Sequence, residues 1–493
     1  MRTTIKYKLL IAVTLILSVM QGCKKDFLDV NNNPNDPETV DLKFVLPSAQ
    51  ANLAYTLGNQ LQVVGGLWGQ YWTQGPNANQ YNDYDRYFYA NTEADRPWRA
   101  LYSGSLKDLD ALYKKAEAEK KYNYSAIALI LRAYTLQVVT DAWGDAPFTE
   151  ALQGFEGITS PKYDSQESIY DALIPMLDDA LEKIDPNLET PSSDDLVYQG
   201  DMLLWYKFAN TLKLKIYLRQ VKVRPAVAAA GIATMPADPT EYLETGEDAL
   251  THYIDEKFRQ NPLYTTVNAL APGKNIFASK TSVDYLTSIN DPRLEDFYDS
   301  NDAGLYVGIE QGAARDVTMF PPPVNDGNFS MFNSEQIIEP SVPVRLMSAS
   351  ESMFLQAEAI ARGYMAGDAQ GMYEFAVEDS WGQWFASSAL IGTDLSTYLA
   401  QPAVAYPGGG SINDQVKAII TQKWVAMNGN QNFESWTEWR RTGFPDFFVQ
   451  SVTSVLGTGE FPARILYPSD ELTSNANVLT GKTVTDHVWW DID

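Results

Sequence analysis

Apolar residues recur at spacings of three and four along most of the chain, a period that predicts helices. LKFVLPSAQANLAYTLGNQLQVVGGLWGQYW (42–72) carries it as one long stretch, and PWRALYSGSLKDLDALYKKAEAEK (97–120) as a second. YSAIALILRAYTLQVVTDAW (124–143) and DSQESIYDALIPMLDDALEKID (164–185) follow. In the latter, Asp164 and Glu167 stand at capping-box spacing. DMLLWYKFANTLKLKIYLRQ (201–220) is amphipathic, with Lys207, Lys213 and Lys215 expected off the apolar stripe. The sharpest repeat-like pattern is ESMFLQAEAIARGYMAGDAQGMYEFAVEDSW (351–381). Ala357 fits the small position of a first tetratricopeptide helix, and Ala369, Tyr373 and Ala376 fit the small–aromatic–small positions of the second. Small residues let two antiparallel helices approach, and the ring fills the gap between them. Two regions break the period: 69–98, rich in aromatics and Asn, and 256–343, with little regularity. Loops this long inside a folded body carry function or are disordered, and their ring content argues against disorder.

The amino terminus has a different pattern. Arg2, Lys6 and Lys8 precede a charge-free, largely apolar run over 9–20, too short for a bilayer span and suited to a secretory signal. MQGC then places Gly22 before Cys23, the only cysteine in 493 residues. This predicts a signal peptide over 1–22, lipidation of Cys23, a polar tether over 23–40 and a single body over 41–493. An ordinary secretory signal with a chance cysteine is the competing reading, because Met20 stands at −3 where Leu is usual. Multiple acyl chains on Cys23 anchor a protein stably where one does not.

A formal net charge of −26 repels nucleic acid and anionic headgroups, leaving neutral or cationic ligands. With 28 Tyr and 12 Trp, many beside Asn and Gly, the chain has the flat apolar faces and directed amides that a sugar ring needs. Core packing accounts for most of those rings. His252 and His487 have no partner at helical spacing, so no histidine zinc site is expected. Asp29, Asn31 and Asn33 imitate the start of a calcium loop, but Pro34 and Val40 fall where glycine and a carboxylate are required. No nucleophile or phosphate-loop motif is present, and neither enzymatic activity nor a cofactor is expected.

Six blocks then resemble one family. They are GCKKDFLDVNNNPNDP (22–37), LRAYTLQVVTDAWGDAPFTEAL (131–152), GDMLLWYKFANTLKLKIYLR (200–219), NDPRLEDFY (290–298), LMSASESMFLQAEAIARGY (346–364) and TQKWVAMNGNQNFESWTEWRRTGFPDF (421–447). In this order they resemble the SusD/RagB-type surface lipoproteins of Bacteroidetes. The resemblance implies a mostly α fold of about four tetratricopeptide-like helix pairs, with few short strands and long insertions forming the ligand face. It implies a cell-surface, lipid-anchored outer-membrane protein that hands oligosaccharide to a SusC-type TonB-dependent transporter. The alternative is a peptide-capturing lid of a RagAB-like complex; a structural adhesin is a third possibility. For the insertion at 69–98 it implies stacking faces from Trp72, Tyr81, Tyr84 and Tyr87, with Asn77, Asn79, Asn82 and Asp83 reading hydroxyls. The second insertion offers Tyr264, Tyr306, Phe320 and Phe332. Arg440 or Arg441 is expected to pair with a scaffold carboxylate such as Glu358.

Overall fold

The computed structural model describes residues 40–269, 274–315, 318–320, 324–385 and 395–492. Cys23, the expected signal and nearly all of the tether lie outside the described residues. Leu42–Asp493 forms one compact unit.

The first predicted stretch is two helices, α1 (Leu42–Leu57) and α2 (Gln60–Trp68), with Gly58 between them. A Cβ at Gly58 would lie 2.2 Å from Val344 Cγ2, so the strand Val344–Met347 passes where only glycine leaves room. The scaffold continues with α3 (Lys107–Glu119), α4 (Tyr122–Trp143), α5 (Gln166–Lys183) and α6 (Met202–Arg219). After the insertions come α7 (Ala349–Ala361), α8 (Ala369–Phe385), α9 (Ile412–Met427) and α10 (Asn432–Thr442). Consecutive helices pack on one another: α3 on α4, α5 on α6, α7 on α8 and α9 on α10. These are the four expected pairs. α4 is covered on both sides by α3 and α5 and is buried almost all round, which explains its near-continuous apolar sequence. Gly144, at φ +78°, ends it.

In the α7–α8 pair, Ala357, Tyr373 and Ala376 are fully buried and Ala369 is half-buried. The Tyr373 ring meets Phe354 edge-on at 6.3 Å and its hydroxyl donates to the Val404 carbonyl. The capping expectation for α5 shifts by one residue. Ser165 accepts from Ser168 N at 3.2 Å, while Asp164 accepts from Phe148 N and Thr149 N at 3.0 and 2.8 Å in the turn after α4.

The lysines of α6 overturn a simple amphipathic reading. Lys207 and Lys215 are buried. Lys207 Nζ lies 2.8 and 2.7 Å from Glu244 and Glu247, and Lys215 Nζ lies 3.0 and 3.5 Å from Glu351 and Glu434. Arg219 extends the network to Asp141, Glu434 and Glu438, and Lys423 reaches Glu438 at 3.2 Å. Arg441 pairs with Glu358 at 2.6 Å and Glu438 at 2.7 Å, the expected scaffold role. The cations hold the Glu438 carboxyl well below the usual range despite its burial. Arg440 instead lies over the Trp436 ring at 3.7 Å and donates to the carbonyls of Asp141 and Ala463. Burial lowers its pKa to about 10.

Named strands pair only as two-stranded antiparallel ribbons among the described residues. β1 (Trp72–Gln74) pairs with β2 (Ile276–Ala278), joining the two insertions with Thr73 opposite Phe277. The second insertion is more regular than its sequence suggests, with helices at Pro262–Ala269, Lys280–Ser288 and Leu294–Phe297.

Candidate functional site

Three segments far apart in sequence are tied together by buried polar side chains. Asp85 accepts from Thr73 Oγ1 at 2.9 Å, Gln74 N at 3.2 Å, Gln311 Nε2 at 2.5 Å and Gly312 N at 3.1 Å. Burial with no cation in contact pushes its carboxyl up to about 6 against those four donors. Gln70 Oε1 accepts from Thr281 Oγ1 and Val449 N, while its Nε2 donates to Val449 O at 2.6 Å. The Tyr87 hydroxyl accepts from Ser451 N at 3.1 Å. Val452 N donates to Gln311 O and Val455 N to Arg86 O. Residues 69–98, the segment around Gln311 and the stretch 447–456 thus share one polar foot.

The structure distributes the sequence-predicted residues unevenly. Trp72 is fully buried with its ring 5.7 Å from Phe332, itself 1 % exposed. Neither offers a face to a ligand; both seal the join between the insertions. Tyr81, Tyr84 and Tyr87 are buried too. Tyr84 stacks on Tyr89 at 5.1 Å and donates to Glu93 at 2.5 Å. Desolvation raises the Tyr81 hydroxyl to about 12. These rings pack inward because β1 and the short helix Asn82–Asp85 turn them under the loop. Asn82 is buried, with neither amide atom hydrogen-bonded. The polar residues of the loop's rim stay outside: Asn77 and Asn79 are exposed, and Asp83 forms a 3.0 Å pair with Arg86. Asn77 Nδ2 donates to Val324 O and to Asp326 Oδ1 at 2.7 Å, joining the second insertion. There Phe320 lies half-buried, edge-on to Phe329 at 5.4 Å. Tyr306 is also half-buried, its hydroxyl raised to about 12 by burial and by Glu295, Asp299 and Asp296. Tyr264 lies elsewhere, on a helix whose Thr266 donates to Asn59 at the α1–α2 turn.

Beside the polar foot opens a cleft of about 410 Å³. One face of the helix Lys280–Ser288 lines it, with Lys280, Thr281, Asp284, Tyr285 and Ser288 at helical spacing. Glu310, Gln311, Phe447 and Val449 complete it. Its apolar floor is Phe447 stacked on Tyr285, centroids 4.5 Å apart and planes at 21°. Burial pushes the Tyr285 hydroxyl well up. Lys280 and Asp284 neutralise each other on the rim. The segments joined by the polar foot also carry exposed apolar groups: Phe88 at 43 %, Val452 at 45 % and Val455 at 49 %. An aromatic floor with hydroxyl and carboxylate edges suits a neutral ring with an apolar face and a polar perimeter. The sequence reading missed Tyr285, Phe447 and Phe88. The available signal was the polar i, i+4, i+8 stripe of KTSVDYLTS beside an aromatic. No group of three metal-ligating side chains occurs among the described residues. No described helix is long and apolar enough to cross a membrane.

Helix pairs carrying a loop-built ligand face define a class of helical-repeat binding scaffolds. Within that class the chain belongs to the SusD-like family, described as starch-binding and associating with the outer membrane, whose match spans residues 34–468. It is similar to a solved SusD homolog from Bacteroides uniformis, with 27 % identity over 91 % of this chain and all of that one, at a TM-score of 0.75. A structure named as a chitin-binding protein has 24 % identity, covers 92 % of this chain and 100 % of its own, and gives a TM-score of 0.78. A chitin-binding SusD homolog from Flavobacterium johnsoniae has 23 % identity, covers 92 % and 99 %, and gives 0.77. No curated protein matches the chain at a significant level.

Proposed function

We propose that the chain captures a neutral oligosaccharide at the cleft between the helix Lys280–Ser288 and residues 447–449, without chemistry upon it. The observation that carries this is the Phe447–Tyr285 stack flooring a 410 Å³ cleft rimmed by hydroxyls and a self-neutralised ion pair. One sugar ring lies on Phe447, and the exposed Phe88 and Val455, with Asp83 and Asn79, take the next units. Chitin binding by similar structures supports a glycan rather than a peptide. Lipidation at Cys23 holds the protein at the outer surface of the outer membrane, where it delivers its ligand to a SusC-type TonB-dependent transporter.

Calorimetric titration with chito- and malto-oligosaccharides, and with short peptides, tests the reading. The expected result is saturable heat with one glycan series, weakened about tenfold by Phe447→Ala, the loss of one ring contact of ~1.4 kcal/mol. Heat with peptides alone, or unchanged glycan affinity in a folded Phe447→Ala variant, overturns it.

A further inference from the structure

A second cavity, about 240 Å³, lies at the α1–α2 turn, between Gly58, the segment 336–345 and the α9–α10 turn at Gly429–Asn430. No aromatic ring and no carboxylate lines it. Its walls are aliphatic (Leu263, Ile337, Val342 and Val344) and its polar groups are amides and Arg345. Hydrogen bonding there is incomplete in both directions. Arg345 gives only its Nε to a protein acceptor, Asp248 Oδ2 at 2.7 Å. Gln383 and Asn430 spend their amide N–H groups on Asp379 and Ala426, and their carbonyl oxygens are buried without donors. The cavity continues through Gln62, Arg345 and Asn430 into a pocket of about 20 Å³. There the buried Gln431 Oε1 also lacks a partner.

Unused donors beside unused acceptors select the ligand. A carboxylate would serve Arg345 but repel Gln383 Oε1 and Asn430 Oδ1. An ammonium would serve those oxygens but not Arg345, whose charge Asp248 already balances. A hydroxyl both donates and accepts. We infer that this cavity is a second ligand site, for a neutral polyol the size of one sugar unit, held by Arg345, Gln383 and Asn430 with its C–H surface on Ile337 and Val342.

Saturation-transfer NMR on the whole chain with glucose, acetate or methylammonium tests this. Glucose is expected to give saturation transfer at millimolar concentration and the two ions none. The glucose signal is expected to persist in Phe447→Ala, where only the cavity remains, and to disappear when Val342→Trp, which fills the cavity from its half-exposed wall, is added to Phe447→Ala. Gln383→Leu, which removes one acceptor and leaves the cavity open, is expected to weaken it at least fivefold. Loss in Phe447→Ala with retention in Val342→Trp would place all binding in the loop cleft and overturn the inference. So would equal response to the ions, or a glucose-soaked crystal with only water in the cavity.

Discussion

Arg441 holds the scaffold together at a single point. It bridges Glu358 of α7 and Glu438 of α10, and all three side chains are buried. Removing one member of a buried pair leaves an uncompensated charge and costs about 3–5 kcal/mol. Here Glu358 keeps Arg362 at 2.7 Å and Glu438 keeps Arg219 and Lys423, so Arg441→Met is expected to lower unfolding free energy by less, about 1.5–3 kcal/mol, in urea titration; no loss would mean that those cations replace Arg441 fully. Asp85 behaves oppositely, because nothing positive touches it. An unfolded Asp ionises near ~3.9, whereas Asp85 is raised to about 6. Folding thus favours its protonated form. Its contribution is complete below pH ~4 and is lost as pH rises through ~6, roughly 3 kcal/mol in all. The difference in stability between wild type and Asp85→Asn should fall across that window, and parallel pH profiles would refute the assignment.

Among elements, the helices follow their apolar period, and their interruptions follow contacts from elsewhere. The α7–α8 pair is legible because Ala357, Tyr373 and Ala376 record a neighbour that is local in sequence. The α1–α2 break is not, since the side chain that leaves room only for glycine at position 58 is Val344, far along the chain. Gly58→Ala should destabilise the protein by about 1–3 kcal/mol through overpacking against Val344. Pairing it with Val344→Ala should recover part of that loss in thermal melts; no recovery would place the strain elsewhere. The helix Lys280–Ser288 is a half-legible case. Its Ser279 cap and period are local, but the cleft beside it depends on Phe447 arriving from the far end of the chain.

At the scale of the whole molecule, a net charge of −26 and a rim ion pair that cancels itself predict a ligand indifferent to the protein's field. Glycan affinity is expected to stay within twofold between 50 and 500 mM NaCl, measured by calorimetry. A steep fall with salt would mean a cationic ligand. The charge that matters to stability is inside. Lys215, Arg219, Lys423 and Arg441 are neutralised by carboxylates on other helices, so this buried network leaves the acidic balance of the surface in place.

What the sequence determined alone was whatever depends on near neighbours: helix period, the small–large–small pairing, and the glycine stop at Gly144. The order of its six blocks also marked the family. The tertiary structure alone decided which rings face out. Trp72, Tyr81, Tyr84 and Tyr87 sit in a polar loop yet turn inward, because β1 is pinned to β2 and Asp85 to Gln311. It likewise buried Lys215, whose partner Glu351 is 136 residues away. The physical reason is common to both. Burial and ion pairing are set by contacts made when distant segments meet, and a local pattern of polar and apolar residues carries no record of who the distant partner is.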